Sequence, residues 1–393
     1  MFDVFNRMRR LSGVVLALLG MLFLASCGDF NMGGGGPRID TKRPVPVALL
    51  VPGGSGNAGD QALATSLENA ARLAMRELSG VNIDLRVYNT AGNAAQTTTV
   101  TQQAVRDGAK IILGPVYGGN AAAAGVAAAS SGVNVLAFTN NPEVAGGNVF
   151  VLGSTFQNTA NRLVRFAAAQ GKGDLVVVHG KNPAEMAGLS AINRAVAITP
   201  GARIVAEVPF EMSQTGVINA VPKVSSALRN SGAKSVFLTS GTDGAIPFLA
   251  GLLPENGVKP TDAQFIGLQR WDVPVSARSL PGLQGGWFAL PDPSLAEQFQ
   301  QRYLATYGAA PHAIAGLAYD GIAAIGALVK AGKADALTGA ALTQPQGFAG
   351  VNGVFRLRGD GTNQRALAVA QIQNQQIVII DAAPRSFGGG AGN

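Results

Sequence analysis

The sequence contains very little cysteine, histidine and tryptophan. Of its 393 residues, one is cysteine, two are histidine and two are tryptophan. One cysteine cannot form an intramolecular disulfide, so the fold has to depend on its hydrophobic core. His179 and His312 have no neighbouring cysteine and no cluster of carboxylates, so we predict no metal site. A G-x-S-x-G motif is also absent, and we predict no catalytic residues, no cofactor and no enzymatic activity.

Charged residues are scarce as well, at 13%, and they form no long run of one sign. The formal net charge is +7, and residues 1–26 contribute +2 through three arginines and Asp3. No basic stripe is interleaved with aromatic residues, which make up 6% of the chain. Nucleic acid is therefore not an expected partner. A hydrophobic content of 47% is enough for a large core, and the length allows two domains.

Residues 1–26 have the layout of a secretory signal peptide. Arg7, Arg9 and Arg10 precede an apolar stretch at residues 11–24, which is shorter than the ~20 residues that span a bilayer. The next residues, Leu24-Ala25-Ser26-Cys27, resemble a bacterial lipobox. The resemblance implies that Cys27 is lipidated and becomes the mature N-terminus. We therefore expect a periplasmic protein anchored to a bacterial membrane through Cys27.

Glycine-rich segments flank the body of the chain. Residues 27–43 contain four consecutive glycines and Pro37 without hydrophobic periodicity, so the sequence predicts a lipidated cysteine followed by a flexible tether. The glycine-rich end of the chain has the same character. We predict that residues 384–393 form a disordered tail.

The body alternates short apolar runs with segments of helical periodicity. Strands are predicted at residues 45–51, 83–88, 110–113 and 133–138, with helices between them. A second series follows, with strands at 175–178, 204–208, 235–239 and 264–268. After Phe348 the pattern changes to strands and turns, with strands predicted at 354–357, 366–373 and 376–380. Such alternation favours parallel sheets flanked by helices. The predicted fold class is α/β, with two similar lobes.

Four stretches along the body carry a family resemblance: Val47-Ala48-Leu49-Leu50-Val51-Pro52, Ile112-Leu113-Gly114-Pro115-Val116, Thr139-Asn140-Asn141-Pro142-Glu143 and Ala318-Tyr319-Asp320-Gly321. They resemble the type I periplasmic solute-binding family, of the leucine/isoleucine/valine kind, and within it the penicillin-binding protein activator lipoproteins. The resemblance implies two discontinuous lobes joined by a hinge of three chain crossings, near Ser154, Leu290 and Leu342. Lobe 1 would comprise residues 44–154 and 290–342, and lobe 2 residues 155–289 and 343–383. A ligand would bind between the lobes, outside the carboxyl ends of the strands.

The segment from Gly54 to Gly59 matches G-x-G-x-x-G between a strand and a helix. On its own this motif is the dinucleotide fingerprint, but the fingerprint also needs an acidic residue at the end of the second strand. That strand ends at Tyr88-Asn89-Thr90, which argues against a dinucleotide. Two interpretations stay open: an anion-binding loop at a helix N-terminus, or a tight strand-to-helix turn.

Polar residues that follow predicted strands are the candidate ligand-binding residues, because this architecture places its ligand at strand ends. Lobe 1 offers Ser55, Asn57, Tyr117, Gly118, Thr139 and Asn140. Lobe 2 offers His179, Ser240, Thr242, Gln269 and Trp271.

Two functions follow from the resemblance. In the first, the protein captures a small polar, amino-acid-like solute for an ABC-type importer. In the second, it activates a cell-wall synthase, a penicillin-binding protein, by protein contact. Tight binding of leucine is not expected, because Gln269 or Arg270 stands where amino-acid-binding relatives have an acid for the ligand ammonium. Asp272 is the one nearby residue that could replace that acid.

Overall fold

The computed structural model describes residues 36–387. The predicted signal peptide, Cys27 and the last part of the predicted tail lie outside the described residues. Within residues 36–387, no helix combines the length and the apolar character needed to cross a membrane.

Secondary structure alternates along the described chain as the sequence pattern predicts. The strands are β1 Val45–Val51, β2 Ile83–Asn89, β3 Ile111–Leu113, β4 Asn134–Ala137, β5 Val149–Val151, β6 Asp174–Gly180, β7 Arg203–Phe210, β8 Ser235–Leu238, β9 Gln264–Gly267, β10 Trp287–Leu290, β11 Phe348–Gly350, β12 Gly353–Leu357, β13 Asn363–Arg365, β14 Ala368–Gln373 and β15 Gln376–Asp381. The helices are α1 Ala58–Glu77, α2 Ala94–Arg106, α3 Gly118–Ala129, α4 Phe156–Ala169, α5 Pro183–Ala197, α6 Gln214–Ser231, α7 Ile246–Glu255, α8 Pro293–Tyr307, α9 Gly316–Lys330 and α10 Gly339–Leu342.

Two sheets form the centres of two lobes. The sheet of lobe 1 has the order β2-β1-β3-β4-β5, and all of its strand pairs are parallel. The sheet of lobe 2 has the order β15-β14-β10-β9-β8-β6-β7. It is parallel from β10 to β7, while β14 and β15 pair antiparallel at its edge. The predicted α/β class with parallel sheets is confirmed.

Both sheets are covered on two faces, as the apolar strand sequences require. In lobe 1, α1, α8 and α9 pack on one face and α2 and α3 on the other. In lobe 2, α6 and α7 cover one face and α4 and α5 the other. The small sheet β11-β12-β13 joins the core of lobe 1, because Phe348, Phe355 and Leu357 belong to the same buried cluster as Val47.

The third chain crossing lies later in the sequence than predicted, because the small sheet packs with lobe 1. The chain leaves the first sheet between Val151 and Phe156, and it leaves β10 for α8 between Leu290 and Pro293. We expected the third crossing near Leu342. Because β11 to β13 pack with lobe 1, the structure favours a crossing at Ala366 and Leu367, immediately before β14.

The ends of the described chain are packed, which corrects part of the predicted tether and tail. Ile39 is buried in the core of lobe 1, and its N–H donates to the carbonyl of Ala334 at 2.8 Å. At the other end, Phe387 is buried, and the guanidinium of Arg356 lies 4.9 Å from its ring centroid. Apolar side chains at these two positions therefore tie down segments that composition alone predicts to be flexible.

Candidate functional site

A cavity of about 650 Å³ lies at the carboxyl ends of β3 and β4. All three chain crossings contribute to it, through Gly153 and Ser154, Pro291 and Leu367. We call it the interlobe cavity. Its remaining walls are Val116, Tyr117, Gly118, Gly119, Phe138, Thr139, Asn140, Asn141, Ala313, Ile314, Leu317, Asn352 and Arg365.

The turn after β3 brings α3 to the cavity. Gly114 has a φ of +82°, and a Cβ there would lie 2.2 Å from the carbonyl oxygen of Leu50, so only glycine fits. Helix α3 then begins without a side-chain cap. Gly118 and Gly119 in its first turn line the cavity. Backbone N–H groups at such a helix start favour an anionic group.

The segment after β4 supplies the polar groups opposite this helix start. The hydroxyl oxygen of Thr139 accepts from the backbone N–H of Asn141 at 3.1 Å. A Cβ on Gly118 would come within 3.2 Å of Asn141 Nδ2 and 3.8 Å of Thr139 Oγ1. The structure thus brings together Tyr117, Gly118, Thr139 and Asn140, four of the residues predicted from the sequence. Asn141 was missed although it follows Asn140 directly.

Ser55 and Asn57 do not line the cavity. Asn57 caps α1, since its Oδ1 accepts from the backbone N–H groups of Gly59 (2.7 Å) and Asp60 (3.3 Å). Ser55 in turn accepts from the N–H of Asn57 at 3.1 Å. These bonds use donors that a phosphate would need, so the structure favours the tight-turn interpretation of G-x-G-x-x-G. The hydroxyl of Tyr117 donates to Asp60, which connects this turn to the cavity rim.

Arg365 is the charged residue of the interlobe cavity that sequence reasoning missed. Its side chain is buried and forms an ion pair with Asp320 (Nη1 to Oδ2, 3.1 Å), while Nε donates to the carbonyl of Leu152 at 2.8 Å. Nη2 has no hydrogen-bond partner among residues 36–387. Burial raises the pKa of Asp320, which also accepts from the N–H of Val351 at 2.8 Å. The structure thus provides one donor nitrogen beyond those that hold the arginine in place.

In lobe 2, the polar groups at the strand ends converge on a buried carboxylate. Glu185 Oε2 accepts from the N–H of Gly180 (2.6 Å) and the hydroxyl of Thr239 (2.8 Å), and Oε1 accepts from Ser240 (2.7 Å). Asn182 caps α5 by accepting from the N–H of Glu185, but the carboxylate points to Gly180 instead of completing a capping box. Ser240 is therefore occupied by a hydrogen bond inside its own lobe.

The other candidates of lobe 2 also have partners within the lobe. Thr242 donates to the carbonyl of Val273 at 2.6 Å, and Gln269 Nε2 donates to the carbonyl of Thr239 at 3.0 Å. His179 is buried, with Nδ1 at 3.2 Å from the carbonyl of Gly180. None of these residues lines the interlobe cavity.

Trp271 has to be removed from the ligand-binding set. Its side chain is fully buried in the core of lobe 2. A Cβ on Gly267 or Gly286 would collide with the indole at 2.3 and 2.5 Å, so these two glycines provide the space it fills. The residue follows β9 in sequence, but its ring turns into the core and is inaccessible to a ligand.

Asp272, the residue that could have replaced the missing acid, is paired with a neighbouring arginine. Arg270 Nε donates to Oδ1 of Asp272 at 2.9 Å, and the carboxylate is largely buried. The carboxylate in turn raises the pKa of Arg270. An incoming ammonium group would have to displace a two-point guanidinium–carboxylate contact.

Two α/β lobes joined by three crossings, with a cavity at those crossings, define a class of binding protein. The model of the periplasmic binding protein family matches residues 44–376, and the chain belongs to that family. Its members are solute-binding proteins of the periplasm. No curated protein sequence matches the chain significantly.

Several solved structures of the same fold come from ABC transport systems. A Rhodospirillum rubrum protein assigned to branched-chain amino acid transport has a TM-score of 0.73 and 18% identity, covering 86% of this chain and 100% of that one. A Desulfitobacterium hafniense substrate-binding protein in complex with Leu has a TM-score of 0.62 and 16% identity, covering 86% and 100%. A Rhodopseudomonas palustris protein in complex with 3,4-dihydroxybenzoic acid has a TM-score of 0.58 and 16% identity, covering 88% and 98%.

Proposed function

We propose that this protein captures a small carboxylate solute in the interlobe cavity and delivers it to an ABC-type importer, while Cys27 anchors it to the membrane. The observation that carries the proposal is the cavity itself. Its volume of about 650 Å³ suits a small molecule, and all three crossings line it. A ligand held there would contact the segments that move when the lobes close.

The chemistry of the lining supports a ligand with one carboxylate and no ammonium group. Arg365 is the one charged residue of the lining, and no acidic residue contributes to it within the described chain. Gly118, Gly119 and Thr139 add donors, while Val116, Phe138, Ile314, Leu317 and Leu367 add apolar surface. An ammonium group would lose its hydration on entering such a cavity and would find no carboxylate partner there, so its binding would be unfavourable.

The acids of lobe 2 do not supply that partner. Asp272 is engaged by Arg270, and Glu185 already accepts three hydrogen bonds. Two of the similar solved structures carry aromatic acids, 3,4-dihydroxybenzoic acid and benzoate, both from Rhodopseudomonas palustris. Benzoate, with one carboxylate on an apolar ring, is therefore the simplest probe for this cavity.

The experiment is thermal unfolding of the full chain in detergent with ~1 mM leucine or ~1 mM benzoate. A micromolar ligand at that excess stabilises the folded state by about 4 kcal/mol, which raises the midpoint by roughly 8 °C or more. We expect a rise with benzoate and none with leucine. A rise of that size with leucine alone would reject the carboxylate proposal and restore amino-acid binding.

A second function has one observation in its favour. Four large apolar side chains of lobe 2, Met212, Phe248, Val273 and Val275, are 44–68% exposed. Met212 follows β7, Val273 and Val275 follow β9, and Phe248 lies in the first turn of α7, the helix after β8. Exposed apolar patches of this kind are typical of protein contacts. Activation of a penicillin-binding protein by contact would use this patch, and the absence of any ligand-induced shift would favour it.

The membrane anchor can be tested separately. Replacement of Cys27 by serine removes the thiol that the lipobox resemblance predicts to be acylated, and stable attachment needs more than one acyl chain. We expect Cys27→Ser to leave the membrane fraction or to retain its signal peptide. Normal processing and unchanged detergent partitioning of this variant would rule out the lipid anchor.

A further inference from the structure

A second cavity, of about 690 Å³, lies beside the third crossing. Arg365 and Leu367 line both cavities, so this segment separates them. The walls of the second cavity come from both lobes: α4, α5 and residues 381–387 on one side, and the β12–β13 turn on the other. We call it the arginine groove, because five arginines line it: Arg162, Arg165, Arg194, Arg358 and Arg365.

Two of these arginines form ion pairs with carboxylates and three do not. Arg162 pairs with Asp381 at 2.8 Å, and Arg365 pairs with Asp320. Arg165, Arg194 and Arg358 form no ion pair within residues 36–387. Two further acids line the groove. Asp360 accepts two bonds from Thr362, at 2.9 and 2.6 Å, and Glu143 stands on the lobe 1 side.

The geometry of two unpaired arginines is suited to an incoming anion. Arg165 lies one turn after Arg162 on α4 and is partly buried. Burial lowers the pKa of Arg165, and repulsion by Arg162 lowers it further. Arg194 is held in place, since its Nε donates to Gln157 (2.6 Å) and its Nη1 to Ser190 (2.9 Å). A guanidinium that is already oriented loses little freedom when it binds an oxyanion.

We propose that the arginine groove binds a small polyanion, a molecule with two or more phosphate or carboxylate groups. Arg165 and Arg194 of lobe 2 would hold one group, and Arg358 of lobe 1 the other. A single oxyanion satisfies one guanidinium fork, whereas guanidiniums on opposite walls need separated oxyanions. The volume of the groove is ordinary for a small-molecule site. This site is separate from the interlobe cavity and does not depend on the solute bound there.

The test is calorimetric titration of the full chain in detergent with pyrophosphate at low salt, and with citrate as the carboxylate counterpart. We expect a dissociation constant of about 1 mM or lower for at least one of them. Arg165→Gln and Arg194→Gln should each weaken binding about tenfold, the effect of one charge-assisted hydrogen bond. Added salt should weaken it as well, because these side chains are partly exposed.

The matched control is Arg229→Gln, which removes the same charge from an exposed arginine on α6. That arginine is hydrogen-bonded to Ser225 and Ser226 and lies outside the groove. Binding should survive in this control. The proposal is overturned if neither probe binds at about 10 mM, or if Arg229→Gln weakens binding as much as Arg165→Gln. It is also overturned if Thr139→Val, in the interlobe cavity, abolishes binding while Arg165→Gln does not.

Discussion

The two lobes present similar strand ends but use their polar groups in opposite ways. In lobe 1, the segments after β3 and β4 place Thr139, Asn140 and an uncapped helix start around a cavity. In lobe 2, the polar groups are hydrogen-bonded inside the lobe. Ser240 donates to Glu185, Gln269 donates to the carbonyl of Thr239, and Thr242 also has a partner in the lobe. A polar group that already has a good partner gains little from a ligand. Lobe 1 is therefore the half in which we expect most of the binding energy.

The aromatic residues allow this comparison to be made by spectroscopy. All five tyrosines, Tyr88, Tyr117, Tyr303, Tyr307 and Tyr319, belong to lobe 1. Both tryptophans, Trp271 and Trp287, belong to lobe 2. Tyrosine absorbance therefore follows lobe 1, and tryptophan fluorescence follows lobe 2.

The largest effect should come from the buried ion pair of lobe 1. Asp320→Ala leaves the Arg365 guanidinium buried without its carboxylate, and such a change costs about 3–5 kcal/mol of stability. The tyrosine-reported midpoint of denaturant unfolding should fall more than the tryptophan-reported one. Asp320→Asn keeps the shape and one acceptor, so it should cost less. Equal shifts of both signals would mean that the lobes unfold as one unit.

A smaller loss is expected from the corresponding buried carboxylate of lobe 2. Glu185→Gln turns one of two acceptor oxygens into a donor that faces other donors, which costs about 1–3 kcal/mol. The loss should appear first in tryptophan fluorescence, while benzoate binding stays within twofold of wild type (roughly 0.4 kcal/mol). If Glu185→Gln abolished benzoate binding with the fold intact, lobe 2 would be part of the site and the comparison would fail.

A matched pair of threonines tests the comparison directly. Thr139→Val removes a hydroxyl from the interlobe cavity and should weaken benzoate binding about tenfold, at a stability cost of about 1 kcal/mol. Thr242→Val removes a hydroxyl that donates to Val273 in lobe 2 and should leave binding unchanged. Titration calorimetry on both variants gives the answer. A larger loss in Thr242→Val than in Thr139→Val would reverse the assignment of the two lobes.

Most of the fold could be predicted from the sequence, because long elements carry a clear period. The spacing of Leu63, Leu67, Ala70, Ala74 and Leu78 predicts the buried face of α1. The structure buries the first four and half-buries Leu78, which caps the end of the helix. Strands β5, β10, β11 and β13 were not predicted. Each has three or four residues, and a strand of that length shows no period of two. The equally short β3, β4, β8 and β9 were predicted only because each is an apolar run within the alternation of strands and helical segments. Because β11 and β13 were missed, the third crossing was predicted before the small sheet instead of after it.

The candidate site was harder to predict, because the position of a residue after a strand does not determine which way its side chain points. Tyr117, Gly118, Thr139 and Asn140 line the cavity, whereas Trp271 fills a space left by two glycines of its own lobe. Arg365 could not be found from its neighbours in sequence. It reaches the site only because the small sheet returns to lobe 1 before the third crossing.

The smallest effect concerns the ionisation of two tyrosines of lobe 1 and does not change the fold. Burial, followed by a hydrogen bond to Asp107, raises the pKa of Tyr88 to about 12. Burial and the carboxylate of Glu77 do the same for Tyr319, also to about 12. Because both folded-state pKa values exceed the ordinary value near 10, the neutral phenols favour the folded state below pH ~10. That preference is lost as the pH rises towards 12.

Tyr88 and Tyr319 should therefore be among the late-titrating groups in tyrosinate absorbance against pH, and Tyr88→Phe and Tyr319→Phe should each remove one of those groups. Tryptophan fluorescence should stay native while these groups titrate, because lobe 2 contains no tyrosine. A simultaneous change in tryptophan fluorescence would show instead that ionisation in lobe 1 disrupts lobe 2. The difference between the lobes would then hold for ligand contacts but not for stability.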